Sequence, residues 1–281
     1  GMLRLGIPEY RLPRELIKLE INAILNLGVE LKVGMRLGRD FFLSDLREQG
    51  FRSVFLAPGA QRSRDLEIAG ADLDGVLKGV DFLLNVNMGY RVELGRRVLV
   101  VGGGNVAVDV ARSALRTPVR DEVINPSLNI VTAFDVARSA IRFGAKEVHI
   151  VCLESLEAMP ADREEIREGQ REGIVIHAGR GPQRILGEAG HVTGLETIEC
   201  SAVFDAQRRF NPTFVPGTEL AIAADTVVLA IGQSCDLSFL RPEDRVAVTA
   251  RGTIQVDPAT LATTAPGIYA GGDAAFGPRV A

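Results

Sequence analysis

The sequence predicts an α/β protein built on a mostly parallel sheet, and three observations carry that reading. RRVLVVGGGN, Arg96 to Asn105, is a β-branched strand that ends in glycines and passes into a helical segment. EVHIVCLE (147–154) is a second strand, so strand, glycine turn, helix and strand follow as a βαβ unit, whose strands must be parallel. ADTVVLAIGQ (224–233) is a third, apolar almost throughout and closed by a glycine turn, as befits a strand buried on both faces.

The remaining elements follow in chain order. RELIKLEINAILNL (14–27) has apolar residues at helical spacing, with Gly28 placed to stop the helix. VELKV (29–33) reads as a strand, LSDLREQG (43–50) as a short helix and SVFLAPGA (53–60) as a buried strand ending in a turn. DFLLNVN (81–87) is helical and leads to the polar GYRVELGRR (89–97), the first candidate domain boundary. After the βαβ unit comes the helical ADREEIREGQREG (161–173). Residues 174–222 alternate and turn often, as short antiparallel strands do. TIQVD (253–257) and GIYAGGD (267–273) are the last expected strands, and a helix is expected to begin at Asp273, shortly before the end of the sequence.

Composition narrows the function. The 281 residues are 46% apolar and 24% charged, with a net charge of −4 and both signs interspersed. That balance argues against nucleic acid or an anionic membrane as the main partner. No apolar run is long enough to span a bilayer and no secretory signal opens the sequence, so the cytoplasm is the expected location. Cys152, Cys200 and Cys235 lie far apart with no CxxC among them, and His149, His177 and His191 are scattered. Neither a redox-active disulfide nor a metal cage is written in this pattern, and structural roles are expected for the histidines.

Gly102, Gly104 and Ala107 match GxGxxA in the context that gives the motif its meaning: a strand before, a helix after, and a second strand beyond. Gly102 permits a tight turn, Gly104 lets a pyrophosphate approach the backbone, and Ala107 lets the helix pack closely on the sheet. The turn Gly102, Gly103, Gly104 and the first helical residues Asn105, Val106 and Ala107 would present unpaired N–H groups and a partial positive charge to phosphates. This is a Rossmann-like dinucleotide cradle; the alternative is a tight turn that binds nothing. Glu154, ending the second strand, is placed to accept both hydroxyls of an adenosine ribose. A 2′-phosphate would lose those bonds and meet a like charge, with a repulsion of up to about 4 kcal/mol per unit charge at ~4 Å near the surface. About 1.4 kcal/mol suffices for tenfold selectivity, so NAD(H) is expected over NADP(H). The alternatives are a solvated loop carboxylate at Glu154, or rescue of the phosphate by Arg163 or Arg167.

GIPEYRLP (6–13), FLAPGA (55–60), GGGNVAVDVARSALR (102–116), EAMPADREE (157–165), VVLAIGQ (227–233) and GIYAGGDAAFGP (267–278) stand in the order of a known family. With these motifs nearly the whole chain resembles the glutamate synthase small subunit and the corresponding domain of dihydropyrimidine dehydrogenase. More broadly it resembles the pyridine nucleotide–disulfide oxidoreductase superfamily. The resemblance implies a nicotinamide dinucleotide domain, residues 89–235, inserted into a Rossmann-like FAD domain of which 1–88 and 236–281 are pieces. It further implies an enzyme passing hydride from NAD(P)H to FAD, and electrons onward to an iron–sulfur or amidotransferase-type partner subunit. Carried over by motif, Asp273 after Gly272 would hold the flavin ribityl chain, Gly59 would face the flavin cofactor and Val33 would lie near its adenine. Gly232 would approach the nicotinamide. The bland readings are turn glycines at Gly59 and Gly232, a core valine at Val33 and a helix N-cap at Asp273. No catalytic acid or base is expected, because hydride transfer is the cofactors' own chemistry.

The sequence departs from the family in several places. Relatives carry an N-terminal βαβ unit with its own GxGxxG and a cysteine-rich segment upstream; no such motif precedes GIPEYRLP, so a truncated piece is expected, with weak FAD binding and no turnover by itself. Relatives that use NADPH tend to have paired arginines where Leu153 and Glu154 stand. A non-catalytic NAD(H)-binding sensor or scaffold is the competing function, and exposed strand edges would favour a homodimer. Finally, TAFDVARSAIR (132–142) nearly copies DVARSALR of the first helix but lacks its glycines. It is expected to be a packing helix that binds nothing.

Overall fold

The computed structural model describes residues 1–117 and 145–278, which form two compact units. The smaller comprises Gly1–Arg4, Glu9–Arg62 and Gln233–Ala281; the larger comprises Leu5–Pro8 and Ser63–Gly232. The doubled segment 132–142 lies outside the described residues.

In the smaller unit a single turn, α1 (Met2–Leu5), precedes α2 (Arg14–Leu25), α3 (Leu43–Glu48) and the strand β1 (Val54–Leu56). Gly28 follows α2 with φ of 91°, the left-handed conformation that ends a helix. The expected strand at 29–33 is absent: Val29, Leu31 and Val33 are exposed, and among the described residues no strand pairs with them. An alternating apolar pattern makes a strand only where a partner takes its backbone hydrogen bonds. β2 (Arg62–Ser63) follows β1, and the later part of the sequence holds β12 (Gln233–Ser234), β13 (Ile268–Ala270) and α7 (Asp273–Phe276). β1 and β13 run parallel, Val54 opposite Ile268, over a core of Leu43, Leu56, Ile254 and Ile268. TIQVD makes isolated antiparallel bridges (Val248 to Ile254, Val256 to Thr263) rather than a continuous strand.

The larger unit begins with β3 (Val76–Lys78) and α4 (Gly79–Asn87) and continues through β4 (Arg97–Val101), α5 (Asn105–Ala114), β5 (Glu147–Val151), α6 (Arg163–Arg171) and β6 (Val175–His177). Four antiparallel strands follow, β7 (Arg180–Glu188), β8 (His191–Phe204), β9 (Phe210–Phe214) and β10 (Leu220–Ala223), before β11 (Thr226–Leu229) returns. The main sheet has the order β3-β11-β4-β5-β6, all parallel. The expected boundary near residue 88 therefore moves: β3 pairs with β11, and Phe82 and Leu83 of α4 belong to this unit's core, which places 63–88 with the larger unit. Val175–His177, expected among the antiparallel strands, instead forms the parallel edge of the main sheet.

Each central strand is buried on both faces, which is why it reads as a continuous apolar run. Val98 and Val100 pack against α4 and α5, whereas Leu99 and Val101 pack against Ile185, Leu195 and Ile222 of the antiparallel layer. α5 turns Ala107, Val108, Val110, Ala111 and Ala114 into the core at helical spacing. From β4 the chain steps outward to β5 and β6, while on β4's other side lies β11. The strand order thus reverses at the carboxyl ends of β4 and β11, where open α/β sheets bind their ligands.

Candidate dinucleotide site

The glycine turn occupies that switch point. Gly102 has φ of 143°, and a Cβ there would lie 2.3 Å from the carbonyl oxygen of Ala230 at the end of β11. Its N–H donates to the Val151 carbonyl at 2.9 Å, and the Ala230 N–H donates to the Val101 carbonyl at 2.8 Å. Gly102 is therefore required by the fold itself. Gly104 is different. It is the N-cap of α5 with an ordinary φ of −91°, and a Cβ built on it meets nothing within 4 Å. The described residues give no reason for a glycine there, but a phosphate approaching the helix N-terminus would. Having no side chain, Gly104 also leaves the first-turn N–H groups without a capping acceptor. Ala107 is fully buried, close enough to Gly102 for the tight strand–helix packing the motif requires.

The strand after the helix brings Glu154 to the same place. Glu154 lies against Gly103, its Oε2 only 2.7 Å from where a Cβ on that glycine would stand, next to Cys152 and Pro160. The acid expected at the ribose is thus at the mouth of the glycine turn. The EAMPADREE segment closes the other side: Asn105 Oδ1 accepts from the Asp162 N–H at 2.7 Å, and the Ala161 N–H donates to the Gly103 carbonyl at 3.1 Å. Asp162 caps α6 by accepting from the Glu164 N–H. Sequence reasoning did not find the clamping role of Asn105, and its only signal was the position of the 157–165 motif. Arg163 donates to the carbonyls of Leu156 and Glu157, and Arg167 pairs with Glu164, so each cation already has a partner of its own. Val106 is half-buried in the first turn of α5.

Gly232, with φ of 107°, follows β11 on the β11 side of the switch point. Arg64 lies beside it: its N–H donates to the Gly232 carbonyl, and its side chain lies 3.8 Å from a Cβ built on that glycine. No sequence motif marked Arg64. In the smaller unit Gly59 and Gly272 both follow the carboxyl ends of the parallel pair β1 and β13, and neither would meet protein within 4 Å if it carried a Cβ. Gly271 is tied to that pair by its N–H on the Leu56 carbonyl, and Asp273 opens α7. Val33 is exposed on the irregular stretch after α2, which overturns the reading of it as core.

The thiols and imidazoles do not make a metal or disulfide centre among the described residues. Cys152 is buried, and burial together with the nearby Glu154 charge pushes its thiol up to about 12. His149 and His177 stack across β5 and β6 at 5.1 Å, with Nδ1 to Nε2 at 2.8 Å, and burial lowers the pKa of both.

The model of the family described as pyridine nucleotide-disulphide oxidoreductase matches residues 15–281. The chain belongs to that family. Among curated relatives it is 40% identical over 283 residues to the NADP(+)-dependent formate dehydrogenase subunit beta of Moorella thermoacetica, covering 99% of this chain and 36% of that protein. It is 28% identical over 287 residues to the glutamate synthase [NADPH] small chain of Azospirillum brasilense, covering 97% and 54% respectively. The chain thus spans about a third to a half of the length of these relatives. Among solved structures, FprA from Mycobacterium tuberculosis in complex with NADPH superposes with a TM-score of 0.75 at 20% identity, covering all of this chain and 71% of that one. That likeness concerns the fold, the Rossmann-like architecture of this oxidoreductase family. Among the described residues no helix is long and apolar enough to cross a membrane.

Proposed function

We propose that this chain is the electron-entry portion of a flavin-dependent oxidoreductase, binding a nicotinamide dinucleotide at Gly102–Ala107 and passing its hydride to FAD. The observation that carries this reading is the pairing of Gly104, a glycine the fold does not need, with Glu154 across the mouth of the same turn. The α5 N-terminus would hold the pyrophosphate, Glu154 the adenosine ribose, and Gly232 would leave room for the nicotinamide half. Bound together, the nicotinamide and the flavin supply the two-electron chemistry. The protein's part is to orient them and keep water out. Gly59, Gly272 and Asp273 would line the flavin side; Val33 is assigned to the adenine by family likeness alone. The electron acceptor beyond the flavin would be an iron–sulfur or amidotransferase-type partner subunit, in keeping with relatives that are named as beta subunits or small chains.

The same site supports NAD(H) as the preferred cofactor, although the relatives named above carry NADP(+) or NADPH in their names. Leu153 and Glu154 offer no cation to a 2′-phosphate, and both nearby arginines on α6 are engaged locally. Fluorescence titration of the full chain with NADH and NADPH tests this directly. The expected result is binding of NADH at least tenfold tighter; equal or tighter binding of NADPH would sink the preference. A Gly104→Leu chain that still binds either cofactor would sink the site. Reconstitution with FAD, followed by dithionite-free bleaching of the flavin absorbance on adding NADH, tests the hydride step.

A further inference from the structure

The antiparallel layer reaches the same cradle from its other side. The Gly179 N–H donates to the Glu154 carbonyl at 2.8 Å and the Arg180 N–H to the Cys152 carbonyl at 2.9 Å, so the end of β5 is stapled to the segment that opens β7. That segment is stapled in turn to the ribbon of β8 and β9: the Cys200 N–H donates to the Gly179 carbonyl at 2.8 Å, and Cys200 lies opposite Phe214 in the β8–β9 register. At Gly181 the two sides meet. A Cβ there would lie 2.4 Å from Cε1 of Phe214 and 2.9 Å from Cδ2 of Leu153. Gly181 is therefore a glycine because an aromatic ring from the ribbon and the side chain preceding Glu154 share its space. Phe214 nonetheless stays 39% exposed, an apolar side chain sharing the space over Gly181 with the residue that precedes Glu154. Burial raises the Cys200 thiol above its ordinary value, opposed by a bond to the Ala202 carbonyl, and the Glu154 charge adds to the rise.

We propose that Phe214, backed by Leu153 over Gly181, is a positioning residue for the adenosine half of the dinucleotide, giving the base an apolar wall while its ribose meets Glu154. This rests on the dinucleotide reading of the glycine turn and adds to it a determinant carried by the antiparallel ribbon, outside the βαβ unit. An aromatic face suits a purine, and an apolar wall beside Glu154 strengthens that carboxylate's repulsion of a 2′-phosphate by keeping water from screening it.

The test uses the full chain with NADH and with ADP-ribose, which has the adenosine but no nicotinamide. Phe214→Ala weakens both by the same factor, roughly five- to tenfold as expected for one aromatic contact. It also narrows the discrimination against NADPH, and Phe214→Tyr restores both properties. A second arm needs no variant. Saturating ADP-ribose slows alkylation of the half-buried Cys200, read by peptide mass spectrometry, while the buried Cys152 stays unreactive throughout. If Phe214→Ala binds both ligands like the parent while Gly104→Leu binds neither, the wall is refuted and the dinucleotide site stands. If the parent chain binds neither ligand, both readings fail. If Phe214→Ala does not fold, an unchanged Cys200 rate under saturating ADP-ribose refutes the wall, and a slowed one supports it.

Discussion

Two glycines two residues apart, identical in the sequence, do different jobs, and this can be measured. Gly102→Ala forces a side chain into a left-handed backbone and against the Ala230 carbonyl, so it is expected to destabilise the larger unit by about 2 kcal/mol or more, seen as a lower urea midpoint. A Cβ on Gly104 meets no described residue within 4 Å, so Gly104→Leu should change the unfolding free energy from urea titration by no more than about 0.5 kcal/mol while dinucleotide binding is lost. Glu154→Gln keeps the shape of the acid and removes its charge. The ratio of NADPH to NADH affinity should rise at least tenfold, measured by parallel titrations, with no change in folding. At this scale the sequence was legible wherever a residue's role depends on its immediate neighbours along the chain, as at the GxGxxA turn. It was silent about Arg64 beside Gly232 and Phe214 over Gly181, because their neighbours lie far off along the chain.

Between elements, α5 and α6 are joined by charge as well as by packing. Arg112, with a side chain only 6% exposed, reaches Glu165 at 2.5 Å, Glu168 at 2.7 Å and Glu172 at 2.8 Å, and Arg116 adds a further contact to Glu172. Removing the cation leaves partly buried carboxylates facing one another, so Arg112→Ala is expected to cost about 3 kcal/mol in a denaturation curve. Arg112→Lys should recover only part of it, because a single ammonium cannot fork between carboxylates. Across β5 and β6, burial holds His149 and His177 below the ordinary imidazole value of 6.5, with Glu147 opposing the shift at His149, and His149 and Arg180 adding to it at His177. A histidine whose folded pKa is depressed binds protons more readily when unfolded. Its stabilising effect is therefore complete above pH 6.5 and is lost as pH falls from there through the folded value. Thermal midpoints should fall between pH 7 and pH 5, and His149→Asn should flatten that slope. No single residue pattern predicted either feature. Glu165, Glu168 and Glu172 look like the solvated face of a helix until α5 is laid against them, and two histidines 28 positions apart look unrelated until their strands pair.

At the scale of the molecule, the two units differ in how much core they own. Among the described residues, the smaller unit's core has seven buried apolar residues, whereas the larger has clusters of twenty and ten on the two faces of its sheet. Local opening free energy follows buried apolar contact, so amides of β4, β5 and β11 should exchange hydrogen at least a hundredfold more slowly than those of β1 and β13. Mass-spectrometric hydrogen exchange checks this; equal protection of the two sheets would refute it. α2 belongs to the same comparison, since its apolar residues reach helical spacing without any of them becoming buried.

The sequence by itself determined the parallel core, the βαβ unit and the glycine turn, because strand burial, helix periodicity and turn geometry are set by residues close together along the chain. It also specified Glu154 as the acid at the end of the second strand. Tertiary structure alone decided that β3 and α4 join the larger unit, that VELKV stays unpaired, that TIQVD forms bridges rather than a strand, and that the ribbon brings Phe214 to Gly181. A strand exists only when a distant segment accepts its hydrogen bonds, and a side chain lines a site only when the sheet carries it there. Both are long-range facts that local pattern does not encode.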